Sequence, residues 1–180
     1  MNNAGFATYG PFCEIDLQTE LDLLQVNIAA LTHLTKLFLP AMIERRCGGV
    51  LNVASTAAFQ PGPLMAVYYA SKSYVLHFTE ALANELENSG VRVTALCPGP
   101  VESEFQQRAQ MQTSKLVQGE LKSAREVALA GFRGFERGKT VVIPGRKARM
   151  FAQFIRFLPR ARVAAMVRHV QEKHVSAYEH

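Results

Sequence analysis

A chain of 180 residues, 48% apolar and 19% charged, has the composition of one globular domain with a proper core and is too short for two comfortable ones. Its net charge of +5 is unevenly placed: residues 1–145 hold 12 Lys/Arg against 13 Asp/Glu, and residues 146–180 hold 8 against 2. Basic character therefore belongs to the tail, and no nucleic-acid reading motif accompanies it. Lys, Arg, Glu or His interrupts every apolar run, so no bilayer span is expected, and no basic-then-apolar leader opens the chain. Cys13, Cys47 and Cys97 are odd in number and lack metal-site spacing, which suggests reduced thiols in a cytoplasmic setting.

In chain order, Met1 to Gly5 looks like the end of a strand, followed by a glycine-containing loop to Pro11 whose Phe6 and Tyr9 could line a pocket or pack on the core. Asp16 is placed to cap a long helix, with Leu17, Leu21, Leu24, Ile28, Leu31 and Leu34 at helical spacing and Pro40 expected to kink it. Asn27 lies inside that pattern, where asparagine is mildly unfavourable, so it either faces solvent or has a specific buried role. Val50–Ala54 reads as a strand buried on both faces, and Leu64–Leu86 as an amphipathic helix closed by Asn88-Ser89-Gly90. Val91–Cys97 is the next strand, stopped by Pro98-Gly99-Pro100. Residues 102–122 are polar and read as a loop; Ser123 and Glu126 form a capping box for the helix that follows. Thr140–Ile143 makes the last strand. Alternating strands and helices predict an α/β domain with a parallel sheet, whose ligands sit beyond the carboxyl ends of the strands.

Ser55 and Pro98-Gly99 both fall at such ends. Thirteen residues after Ser55 stands Tyr68, and Lys72 follows it by four, one helical turn along the same face. An ammonium beside a phenol favours phenolate and would lower the tyrosine pKa towards neutrality. A nearby serine could hydrogen-bond the oxygen of a bound alcohol or carbonyl. Tyr-x-x-x-Lys alone is a weak signal; its combination with the serine, the Pro-Gly turn and Asn2-Asn3-Ala4-Gly5 is not. Tyr69 is a decoy, about 100° around the helix from Tyr68, and is assigned to packing or pocket lining. Cys97 adjoins the site, where a small core residue is the simpler reading than a redox handle.

These motifs, in this order, resemble the short-chain dehydrogenase/reductase family of classical type, over residues 2 to about 144 and most tightly from Asn52 to Val101. The resemblance implies a Rossmann-like doubly wound parallel sheet with long helices on both faces. It also implies an NAD- or NADP-dependent oxidoreductase that interconverts an alcohol and a carbonyl. Tyr68 would be the acid/base, Lys72 would depress its pKa and bind the nicotinamide ribose, Ser55 would orient the substrate oxygen, and Asn27 would mark a helix break and maintain a proton path to the lysine. Asn3, Ala4, Gly5, Pro98, Gly99 and Ser103 would join Tyr68 and Lys72 around the cofactor, Ser103 standing where the family commonly has threonine. A homo-oligomer built on the long helices is implied too. Phe59, Leu64, Met65 and Phe105 suggest a small apolar alcohol or ketone as substrate, though core packing explains such residues equally well.

The family's Thr-Gly-x-x-x-Gly-x-Gly run, which supplies backbone N–H groups to the pyrophosphate, does not occur in the 180 residues. The expectation is an N-terminally truncated fold of roughly three complete strands plus a strand stub, with residues 1–145 as the C-terminal catalytic half and 146–180 as a basic helical tail. Such a chain would be a poor catalyst. The alternative is a non-catalytic remnant acting as an interaction protein through its long helices. In the tail, Pro159 divides two amphipathic helices; they either pack over the substrate cleft with basic outer faces or contact an anionic membrane surface.

Overall fold

The computed structural model describes residues 1–102 and 121–172. Three strands, β1 (Gly48–Val53), β2 (Val91–Leu96) and β5 (Val141–Val142), form a parallel sheet in the order β1-β2-β5. Gly48 pairs with Val91 and Val53 with Leu96, while Ala95 and Leu96 pair with Val141 and Val142. On the free side of β1, Asn2 makes a parallel bridge to Asn52: its N–H reaches the Leu51 carbonyl at 2.9 Å, and its own carbonyl accepts from Val53 at 2.9 Å. The Rossmann-like sheet and its strand stub are thus both present. A two-residue parallel pair, β3 (Val101–Glu102) with β4 (Lys122–Ser123), does not follow from the sequence pattern.

Side-chain alternation along β2 sorts the layers. Val91 and Val93 join Val50 beneath Leu82 and Leu86, and Ala95 and Cys97 meet Val75 and Leu76. That face carries α2 (Leu31–Glu44) and α3 (Ala66–Glu85). Leu96 points the other way, onto Val127 of α4 (Ala124–Glu136). There Gly134 is required by close approach, since a Cβ would stand 2.2 Å from a Val142 methyl. The Ser123–Glu126 capping box forms as expected. So does the Asp16 cap of α1 (Leu17–Leu24), which accepts from Thr19 N–H at 2.9 Å.

Between α1 and α2 the chain runs through a π-helical turn, Gln25–Ala30, and Pro40 lies inside a helix that continues past it to Glu44. Leu17–Glu44 is therefore one 28-residue helix, long and apolar enough by length and composition to cross a membrane, with 17% of its most apolar stretch buried. This corrects the expectation that charges break every such run: between Leu23 and Pro40 the single Asp, Glu, Lys or Arg is Lys36.

The tail adds α5 (Arg146–Phe154) and α6 (Arg160–Gln171), divided at Pro159 as the sequence suggests. Their inner residues Ile155, Val163 and Val167 share one core cluster with Leu23, Met65, Tyr68 and Tyr69, so the tail covers the region around the two tyrosines.

Candidate active site

Two buried asparagines organise the approach to the site. Asn52, fully buried in β1, accepts from Asn2 Nδ2 at 2.8 Å and donates to Thr79 Oγ1 of α3 at 2.9 Å, fixing the strand stub to sheet and helix together. Asn27 sits in the π turn, 1% exposed. A π turn inserts one residue into the 3.6 repeat and so redirects a side chain inward that the α-helical pattern would leave on a flank. Asn27 Oδ1 accepts from Phe6 N–H at 3.1 Å, and Nδ2 donates to the Phe6 carbonyl and to Ser71 Oγ, each at 3.0 Å. Of the two sequence readings, solvent-facing or specifically buried, the second describes it. Ser71, itself fully buried, donates a hydrogen bond from its hydroxyl to the Tyr68 carbonyl at 2.7 Å. No sequence signal marks Ser71, because the partner that gives it a role is 44 residues away.

Gly5 lies where these parts meet. A Cβ there would stand 2.9 Å from Asn27 Oδ1 and 3.3 Å from Lys72 Nζ, so the loop Asn3-Ala4-Gly5 presses backbone against both side chains. Gly5→Ala is expected to displace Asn27 from Phe6 and lower unfolding free energy by about 1–3 kcal/mol, measurable by urea titration.

Ser55, Tyr68 and Lys72 come together. Ser55 follows β1 in extended backbone; its Oγ accepts from Ala57 N–H at 3.1 Å and makes a long contact of 3.5 Å to the Pro98 carbonyl, which also accepts from Thr56 N–H at 2.8 Å. The Pro98-Gly99 turn is thereby tied to the serine loop, and a Cβ on Gly99 would meet nothing within 4 Å among the described residues. Tyr68 and Lys72 lie one turn apart on α3, Tyr68 8% and Lys72 6% exposed. Ser55 hydrogen-bonds the Tyr68 side chain. Lys72 Nζ lies 5.8 Å from the Tyr68 ring centroid and donates to the Val53 carbonyl at 2.9 Å. Ser103 and Phe105 lie outside the described residues.

The electrostatics correct one expectation. Burial holds the Tyr68 phenol up at about 12, opposed by the hydrogen bond from Ser55, and Lys72 does not bring it towards neutrality. The reason is mutual: burial lowers Lys72 as well, to about 8, and its ammonium is committed to a backbone carbonyl. Spacing on a helix gives proximity; it does not give dielectric.

Tyr69 packs as assigned, its ring against Gly62 and edge-on to Tyr68 at 6.0 Å. Its hydroxyl accepts from Gln171 Nε2 at 2.7 Å, and Tyr9 Oη donates to the Gln171 carbonyl, so the last turn of α6 is latched onto the site's outer wall. Gln171, fully buried, escapes sequence reasoning because its partner is 102 residues away. Cys97 is fully buried and its thiol pushed up to about 12 by burial, which suits a core residue. Among the described residues no group of three or more His, Cys, Asp or Glu could hold a metal ion.

A family model described as short chain dehydrogenase matches residues 1–114. A short chain dehydrogenase of Pseudocercospora fijiensis is 44% identical over 109 residues, 58% of this chain and 35% of that one. Among solved structures, a short-chain dehydrogenase from Sphingobium yanoikuyae in complex with NADPH superposes with a TM-score of 0.75 at 29% identity, covering 99% of this chain and 66% of that one. The bulky-bulky ketone specific alcohol dehydrogenase from Comamonas testosteroni gives 0.70 at 25% identity, over 99% of this chain and 64% of that one. The chain spans about a third of its curated relative and under two thirds of these structures. With the matched model, the parallel sheet and the serine–tyrosine–lysine grouping in agreement, the chain belongs to the short chain dehydrogenase family.

Proposed function

We propose that this chain carries the acid/base half of an NAD(P)-dependent oxidoreductase that interconverts an alcohol and a carbonyl. The observation behind this reading is the convergence of Ser55, Tyr68 and Lys72 at the carboxyl edge of a parallel sheet. The residues fit the nicotinamide end of a dinucleotide: among the described residues none crowds Gly99, the Asn3-Ala4-Gly5 backbone runs beside Lys72 Nζ, and Pro98 closes the strand end. Asn3, Ala4, Gly5, Tyr68, Lys72, Pro98 and Gly99 would hold that end, with Ser103 beyond the described residues. When bound, the nicotinamide supplies or accepts the hydride at the substrate carbon.

Ser55 Oγ holds the substrate oxygen. Tyr68 Oη gives its proton to the developing alkoxide, or as the phenolate takes one from the alcohol in reverse. A phenol kept near 12 is fully protonated at neutral pH, which suits donation. Lys72, near 8, is mostly an ammonium at pH 7 and can release a proton with little cost, so it can re-supply the phenol. Asn27 fixes the Gly5–Phe6 backbone beside Lys72 and, through Ser71, the Tyr68 main chain. A small apolar ketone or alcohol is the proposed substrate; Phe59 and Met65 beside the two tyrosines support its apolar character.

Without a glycine-rich run for the pyrophosphate, the 180-residue chain forgoes several charge-assisted hydrogen bonds of roughly 1.5–3 kcal/mol each, and alone is a poor catalyst. A second reading is a self-association protein. Leu17, Leu21, Leu34, Leu37 and Phe38 are 45–67% exposed along the 28-residue helix, and Thr32 of α2 hydrogen-bonds Tyr74 of α3 beside them. Titrating reduced nicotinamide fluorescence while following size by light scattering separates the two. The first reading expects weak binding, with dissociation constants in the millimolar range. An unchanged signal up to solubility, with a homo-oligomer that Leu37→Glu dissociates, supports the second.

A further inference from the structure

The helix α5 divides into three sectors at 100° per residue. Ala148, Ala152 and the following Ile155 face inward. Met150, Phe151 and Phe154 occupy a second sector, with the exposed Lys147 among them, and are 71%, 42% and 59% exposed; Phe157, just beyond, is 85% exposed, more than any other large apolar side chain among the described residues. Arg146, Arg149 and Gln153 make the third. That polar flank is not isolated: Arg149 and Gln153 line one surface hollow with Arg133, Arg137 and Lys139, contributed by α4 and the turn after it. These cations are exposed, and among the described residues none of them is in an ion pair. Uncompensated cations packed into one hollow repel one another, and an anion would relieve that. Solvent-facing phenylalanines beside them have no such use for a soluble anion.

We propose that α5 and the basic hollow beside it form a docking surface for an anionic lipid bilayer. Headgroup phosphates would sit in the Arg133–Arg137–Lys139–Arg149 hollow while Phe151, Phe154 and Phe157 enter the acyl boundary. The paired sectors favour a lipid surface over another partner class, because they ask for dense negative charge and an apolar layer side by side. The same tail segment, through Ile155, packs against the cluster around Tyr68 and Tyr69, so docking would bring the candidate site close to a lipophilic substrate's own phase. The docking itself does not depend on the catalytic reading.

Vesicle co-sedimentation tests it, using phosphatidylcholine alone and phosphatidylcholine with phosphatidylserine. Binding is expected to the anionic vesicles only, and to weaken as salt rises. Phe154→Ser with Phe157→Ser should lower the partition coefficient by at least about tenfold. Arg137→Gln with Arg149→Gln should lower it by about tenfold or more. Phe132→Ser, which removes a 55% exposed phenylalanine from α4, should leave it unchanged. All three variants should match the parent in thermal unfolding, since each alters exposed side chains. The proposal is overturned by absence of binding, equal binding to both vesicle types, or equal loss in Phe132→Ser. It is also overturned if the Phe154/Phe157 variant dissociates a solution oligomer without changing vesicle binding, which would assign the patch to a second copy of the chain.

Discussion

Asn27→Ala is expected to destabilise the chain by about 3 kcal/mol. Three hydrogen bonds converge on this one amide, two from Nδ2 and one to Oδ1. Each contributes about 1 kcal/mol net, and their loss leaves Phe6 N–H, the Phe6 carbonyl and Ser71 Oγ short of a partner in a part-buried setting, which adds to the cost. Asn27→Asp separates donation from acceptance. It keeps the acceptor for Phe6 N–H but turns a carboxylate oxygen towards the Phe6 carbonyl, so it should be at least as damaging as alanine. Denaturant titration checks both. A loss below about 1 kcal/mol for alanine would mean that the π turn is held by its flanking helices and not by Asn27.

The second large effect is a pH dependence assigned to Lys72. Its folded pKa near 8 lies below the ordinary 10.5 because the ammonium is desolvated. Between those values the unfolded chain binds a proton that the folded chain does not, so stability rises with pH across that window. The full difference is worth about 3 kcal/mol, and roughly 1 kcal/mol of it falls between pH 7 and 9. Tyr68 and Cys97 work the other way at higher pH, since burial raises their folded pKa values to about 12 and holds them protonated when the unfolded chain ionises. Subtracting the Lys72→Met variant isolates the lysine. Parent minus variant stability should climb by about 1 kcal/mol from pH 7 to 9; parallel curves would show that Lys72 is solvated in solution.

The sequence carried most of the local structure because local chemistry specifies it. Asp16 and the Ser123–Glu126 box cap helices with their own side chains, so three or four residues suffice to see them. The strands expected at Val50–Ala54 and Val91–Cys97 lie within two residues of those observed, Gly48–Val53 and Val91–Leu96, because aliphatic and β-branched residues between turn residues mark both. Ser55, Tyr68 and Lys72 are legible from their spacing, and the structure brings them together. What spacing could not supply is burial. It gave the distance between phenol and ammonium but not the desolvation of both, and hence the wrong direction for Tyr68. Long-range partners were equally hidden: Asn27 with Ser71, and Gln171 with Tyr69, depend on how helices pack. The 28-residue apolar helix is hidden from a reading that takes each polar residue as a break, because one lysine, Lys36, is too little to offset the leucines around it.

The acid/base assignment of Tyr68 is tested most directly by the rate of ketone reduction at millimolar NADPH, comparing the chain with Tyr68→Phe. Phenylalanine keeps the ring and its packing against Tyr69 and removes only the proton donor. The expected result is a slow rate, still rising with NADPH through the millimolar range, that falls by about 100-fold or more in the variant. Retention of the parent rate by Tyr68→Phe, or no rate above background in the parent, would contradict the assignment.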